Sequence, residues 1–132
     1  MLEVYTSTSP LQKIMMFFED RRITLDAICP ENNKSPWEQI EYIEGIYNKD
    51  MRIFTYSPYI MNMLNLLIRE HDLTKDNIVV YDVLGDLTTL LDLAVPMPED
   101  NNRFIIDTRD LSDPISWIYK EYSKLSPKTD EV

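Results

Sequence analysis

Residues 51–70 read MRIFTYSPYIMNMLNLLIRE, and their order decides the fold class. Met51 to Tyr56 is apolar and rich in strand-favouring side chains, and it stops at Ser57-Pro58. A serine hydroxyl there accepts from free amide hydrogens and proline suits a first helical turn, so a strand running straight into a helix is expected. Within that helix Ile60, Met63, Leu64, Leu67 and Ile68 recur at helical spacing and form a packing face. Asn62, Asn65 and Arg69 form the opposite, polar stripe.

The same strand-to-helix step recurs upstream. Leu2 to Thr6 reads as a strand, and Ser9-Pro10 opens a helix with Leu11, Ile14, Met15 and Phe18 on one face. The likeness between the two units needs no repeat to explain it, because capping chemistry alone produces the pattern. Arg21 and Arg22 suit the negative end of that first helix. Ile23 to Cys29 follows as a strand, apolar on one side at Ile23, Leu25, Ala27 and Cys29 and on the other at Ile28, which predicts an interior strand covered on both faces. After a polar turn, Ser35-Pro36-Trp37-Glu38 is a capping box. The helix it opens runs to about Asn48, with Trp37, Ile40, Ile43 and Tyr47 inward and Glu38, Glu41 and Glu44 outward.

Downstream, Asn77 to Val83 reads as a strand, Gly85 as a turn and Leu87 to Leu93 as a short helix. Pro96 to Asn102 has two prolines and no apolar period, so an exposed, mobile loop is expected. Arg103 to Asp107 is the last strand. Asp113-Pro114 opens a last helix with Ile115, Ile118, Tyr119 and Tyr122 on one face. Strands alternating with proline-opened helices predict an α/β fold: one layered domain over residues 1–125, with a mainly parallel sheet flanked by helices, and a polar tail from Ser126 to Val132.

Composition narrows the function classes. The chain has 132 residues, 44% of them hydrophobic, enough for one core. A formal net charge of -10 opposes binding to nucleic-acid backbones and favours a basic or neutral protein partner. The single cysteine, Cys29, excludes an intrachain disulfide, and the opening Met-Leu-Glu-Val lacks the character of a secretory signal, so a cytoplasmic location is expected. No apolar run reaches the roughly 20 residues of a membrane span. Gly45 and Gly85 are the two glycines, too few for a glycine-rich phosphate loop.

The residues themselves offer little catalytic chemistry. Cys29 and the sole histidine, His71, share no motif, and a small buried hydrophobe is the better reading of the thiol. Asp82, Asp86 and Asp92 lack metal-loop spacing and read as solvated turns. The helix start at Thr55, Ser57 and Tyr59 is the one candidate anion site. No catalytic set, metal site or cofactor is expected.

Two segments together, Ile28-Cys29-Pro30-Glu31-Asn32-Asn33-Lys34-Ser35-Pro36-Trp37-Glu38-Gln39 and Thr55-Tyr56-Ser57-Pro58-Tyr59-Ile60-Met61-Asn62, carry a family resemblance. They resemble the C-terminal half of the ABC-type ATPase domain of RecF-like, SMC-like and overcoming-lysogenization-defect ATPases. There an apolar strand ends in an acidic pair and Pro-Glu, then Pro-x-x-Gln, and a later strand ends Thr-His-Ser-Pro-Tyr before a helix. The resemblance covers Ile23 to about Arg69. It implies that Ile28 stands at the metal-holding acid, Cys29 at the general base and Tyr56 at the switch histidine, while Glu31 keeps its position. Isoleucine has no lone pair for magnesium, a thiol without basic neighbours is no base at neutral pH, and a phenol does not carry protons there. The resemblance therefore implies a truncated, degenerate relative. The expected role is a non-catalytic interaction or regulatory module whose partner is a protein, a P-loop-containing chain or a second copy, with Glu38, Glu41 and Glu44 as the contact face. The alternative is a nucleotide or anion sensor, or half of a split ATPase whose partner supplies the P-loop.

Overall fold

Proline and serine punctuate the chain where strands become helices. In the computed structural model the described residues are 1–108 and 118–125, with backbone alone for 100–102. The elements run β1 (Leu2–Ser7), α1 (Leu11–Asp20), β2 (Ala27–Ile28), α2 (Pro36–Ile46), β3 (Met51–Phe54), α3 (Pro58–Glu70), β4 (Ile78–Val83), β5 (Leu90–Asp92), β6 (Ala94–Met97) and β7 (Asp100–Ile106). Residues 118–125 are also helical.

Among the described residues, five strands form one sheet in the order β2-β3-β1-β4-β5, and β6 pairs with β7 separately. β2, β3, β1 and β4 are parallel, with Tyr5 opposite Phe54 on one side and Tyr81 on the other; β5 runs antiparallel to β4. Side-chain alternation divides the core in two. Leu2, Val4, Ile53, Ile78 and Val80 face α2, α3 and the β7 residues Phe104 and Ile106. Tyr5, Phe54 and Val83 face Ile14, Phe17 and Phe18 of α1. Edge-to-face contacts join Phe18 to both Tyr5 and Phe54. The chain is thus an α/β domain of three layers, its mostly parallel sheet held between helices. On α3, Ile60, Met61, Leu64, Leu67 and Ile68 are buried, each contributing about 1.5–3 kcal/mol by leaving water.

Several elements depart from the sequence expectation, each for a local reason. The stretch Ile23 to Cys29 is no interior strand: it pairs only at Ala27 and Ile28, as an edge of the sheet, and Ile28 is 42% exposed. Left-handed backbone at Arg22 and Cys29 confines the pairing between them. Trp37, expected inward, is 76% exposed. α2 instead buries Gln39, Ile43 and Ile46, because the Gln39 amide is drawn inward by hydrogen bonds to Ser57 and to the Lys34 carbonyl. Leu11 likewise faces solvent, and Phe17 takes its place in the core.

The expected helix over Leu87 to Leu93 is a turn followed by β5. The Asp86 carboxylate accepts from the Thr88 and Thr89 amides, Leu87 adopts φ 57°, and Leu84 bonds across to Thr89, which closes a hairpin. Pro96 to Asn102, expected as a loop, lies mostly in the β6–β7 hairpin; Pro96 stands beside an irregularity in the pairing, where a missing amide is tolerated. Asn65 leaves the wet stripe and is half-buried, tying α3 to β7. The start of the last helix at Asp113-Pro114 and the tail from Ser126 lie outside the described residues. Ile118, Tyr119 and Tyr122 are exposed rather than packed. Among the described residues no helix is long and apolar enough to cross a membrane.

Candidate functional site at the carboxyl edge of the sheet

Because β2, β3, β1 and β4 are parallel, their carboxyl ends open on one edge. From β1 the chain leaves toward the α1 face, and from its neighbour β3 it leaves toward the α3 face. Adjacent strands whose connections part in this way make the crevice where open α/β sheets hold ligands. Here the residues at the crevice bond to one another. The Tyr56 phenol donates to the Ser9 carbonyl at 2.6 Å, joining the β3–α3 turn to the β1–α1 turn. Ser7 donates its hydroxyl to the Val83 carbonyl at 2.7 Å and accepts from the Ser9 amide at 3.0 Å.

Glu31 organises the neighbouring turn. Its carboxylate accepts from the Thr55 hydroxyl at 2.6 Å and from the Tyr56 amide at 3.0 Å. Thr55 Oγ1 in turn accepts from the Ser57 amide at 3.0 Å. Ser57 caps α3 by accepting from the Ile60 amide at 3.2 Å, and its hydroxyl donates to Gln39 Oε1. The left-handed conformations at Cys29 and Asn33 let the β2–α2 loop fold back far enough for Glu31 to reach. A carboxylate at this place complements the positive end of the α3 dipole. Glu31 thus places a negative charge beside the start of α3 and takes two donors of the β3–α3 turn.

The sequence candidates fall accordingly. Thr55 and Ser57 are brought together with Glu31, and their hydroxyls and the Ser57 amide serve that internal network, while the Thr55 amide donates to the Tyr5 carbonyl. Tyr59 stands apart, 48% exposed. Ile28 sits on the edge strand, while Cys29 is buried and its amide donates to the Phe54 carbonyl at 2.7 Å. Burial, followed by the negative charge of Glu31, pushes the Cys29 thiol up to about 11, so at neutral pH it is protonated and unreactive. Burial likewise raises the Tyr56 phenol, with Cys29 and Glu31 adding to the effect. Among the described residues no group of three His, Cys, Asp or Glu side chains could hold a metal ion.

Glu38, Glu41 and Glu44 are exposed on α2 and take no part in this network. Glu38 accepts from the Ser35 amide at 3.0 Å in the capping box, which holds its carboxyl below the usual value. Sequence periodicity missed Gln39 and Ser9, because a polar side chain bonded inward and a backbone carbonyl leave no mark on an apolar pattern. It also missed Thr6, whose buried hydroxyl has no hydrogen-bond partner among the described residues. No family model, curated protein or solved structure matches the chain.

Proposed function

We propose that the chain is a non-catalytic, ATPase-like half domain that works by binding another protein, either a P-loop-containing chain or a second copy. The observation that carries this reading is the closed carboxyl edge: Glu31 takes the donors of the β3–α3 turn, and Tyr56 is tied across the crevice to Ser9. At the positions where the resemblance expects a metal-holding acid and a base stand an exposed isoleucine and a protonated thiol. The adjacent, parallel pairing of β2 with β3, flanking α2 in sequence, supports the resemblance.

The contact face in this reading is the outer side of α2. Glu41 and Glu44 lie one and nearly two turns beyond Trp37, which is 76% exposed, so an aromatic anchor and carboxylates share one stripe. A basic partner fits it, since opposite charge steers association. The test is a pull-down from the native host, repeated with Trp37→Ala and with Glu41→Lys/Glu44→Lys at low and moderate salt. Loss of capture with retained circular dichroism supports the reading, and unchanged, salt-independent capture removes α2 as the surface. Glu38→Lys belongs in the series only as a control, because it also breaks the capping box.

The second reading, a nucleotide or anion sensor or half of a split ATPase, rests on the crevice between β1 and β3. Calorimetry with Mg-ATP separates the two. The isolated chain is expected to give no saturable heat, and micromolar magnesium-dependent binding would favour the sensor.

A further inference from the structure

A groove of about 440 Å³ lies at the opposite end of α3, between its last turn and the β6–β7 hairpin. Its apolar surface comes from Ile68, Leu73, Met97, Phe104 and Ile105. Four charged side chains also line it: Arg69, Asp72, Glu99 and Arg103. Two of these neutralise each other, since the Arg103 guanidinium donates to the Asp72 carboxylate at 3.0 Å. Arg69 and Glu99 make no hydrogen bond or ion pair with any described side chain, and both are exposed. Arg69 suits the negative end of the α3 dipole, but that long-range attraction leaves its planar fork of donors available.

We infer that this groove binds a small apolar zwitterion, an aliphatic or aromatic α-amino acid, between the charges of Arg69 and Glu99. The inference follows from what each ligand class would meet. A purely anionic ligand gains Arg69 but also meets Glu99 on the lining of the same groove, and a purely cationic one meets Arg69. A ligand with a carboxylate and an ammonium on an apolar body satisfies both, and its body covers Ile68, Leu73, Met97 and Phe104. The volume falls in the lower part of the range of small-molecule sites, which is roughly 300–1,000 Å³. The occupant would also bridge α3 to a hairpin that Asn65 and the Phe104–Ile106 packing otherwise hold. Nothing in this inference depends on the α2 surface or on the carboxyl edge of the sheet.

Nitrogen–proton NMR titration of the full chain tests it with three probes: L-phenylalanine, hydrocinnamate, which lacks the ammonium, and phenethylamine, which lacks the carboxylate. Phenylalanine is expected to give saturable shifts centred on Ile68, Leu73 and Phe104, with the two truncated probes binding more weakly. Arg69→Gln and Glu99→Gln change exposed side chains and keep the fold, and each is expected to weaken phenylalanine roughly 10-fold or more, the usual effect of losing a charged hydrogen-bond partner. Hydrocinnamate binding as well as phenylalanine would overturn the zwitterion assignment. So would shifts confined to other surfaces, or no saturable shift with any probe.

Discussion

The two ends of α3 are built on opposite plans. At its amino end a carboxylate, two hydroxyls, a carboxamide and three backbone amides pair with one another, and Thr55 and Ser57 are buried. At its carboxyl end Arg69 and Glu99 line an open groove without described partners. The first end has the position that a ligand site takes in an open α/β sheet, with its polar groups paired apart from the nearby Thr6 hydroxyl of β1; the second has exposed charges without described partners. Place in the fold therefore does not identify a binding site here. In the reading proposed above, the pairing of the polar groups decides instead.

The largest test of that contrast is Glu31→Ala. It takes the acceptor from the Thr55 hydroxyl, on a residue with no exposure and still bonded by the Ser57 amide, and from the part-buried Tyr56 amide. Each buried group left unpaired costs about 1–3 kcal/mol, so a loss of about 2–4 kcal/mol is expected in urea denaturation. Glu31→Gln, which keeps an acceptor, should lose less. A loss below about 1 kcal/mol would mean that water reaches the turn, and the amino end would then be open like the other.

Asn65→Ala probes the link between α3 and the hairpin. Asn65 accepts from the Ile106 amide at 2.6 Å and donates to the Ile106 carbonyl at 3.0 Å. Removing both bonds should cost about 1–3 kcal/mol. Hydrogen exchange should quicken over residues 94–106 before it does in β1 or β4. Uniform quickening would show that hairpin and sheet open as one unit, and the groove would then have two rigid walls.

Much of this contrast was legible in the sequence at the amino end and little at the carboxyl end. Ser57-Pro58 and Ser35-Pro36-Trp37-Glu38 mark helix starts by chemistry confined to a few residues, and both caps form as read. Glu31 is named by its motif, but its role comes from contacts with residues 24 and 25 positions away, which no local pattern encodes. Apolar periodicity placed Ile60, Leu64, Leu67 and Ile68 correctly and misplaced Trp37, because it takes a carboxamide such as Gln39 to be outside. The β4–β5 hairpin had a signal in Asp86 followed by Thr88 and Thr89, a side chain able to close its own turn ahead of β-branched residues. The groove had none, since its walls are joined by tertiary packing alone.

Cys29→Ala gives a smaller, pH-resolved test of how closed the amino end is. The folded thiol titrates near 11 against an ordinary value of 9.0, so the folded state holds the proton more tightly than the unfolded one. That contribution is complete below pH 9 and is lost as pH rises from 9 toward 11. Tyr5, pushed up from 10.0 to about 12 by burial and then by Glu3, adds a second loss that begins near pH 10. Thermal melts of the wild type should fall across this range. Cys29→Ala should flatten the first part of the decline, leaving the tyrosine component. An unchanged slope would mean that the thiol ionises freely in the folded state, contrary to a sealed turn.

The smallest effect belongs to the open end. Asp72→Asn breaks the ion pair with Arg103, whose side chains are 62% and 74% exposed for arginine and aspartate, and pairs so wetted contribute about 0.2–1 kcal/mol at most. Asp72 also sits at φ 49°, in left-handed backbone, where asparagine is at least as comfortable as aspartate. The two changes offset each other, so stability should move by less than about 0.5 kcal/mol. The same substitution frees the Arg103 guanidinium and leaves the groove with a surplus positive charge, so hydrocinnamate should gain affinity relative to phenylalanine. A large loss of stability would show that the Arg103–Asp72 pair holds the hairpin in place, and that the carboxyl end of α3 is as closed by its own contacts as the amino end.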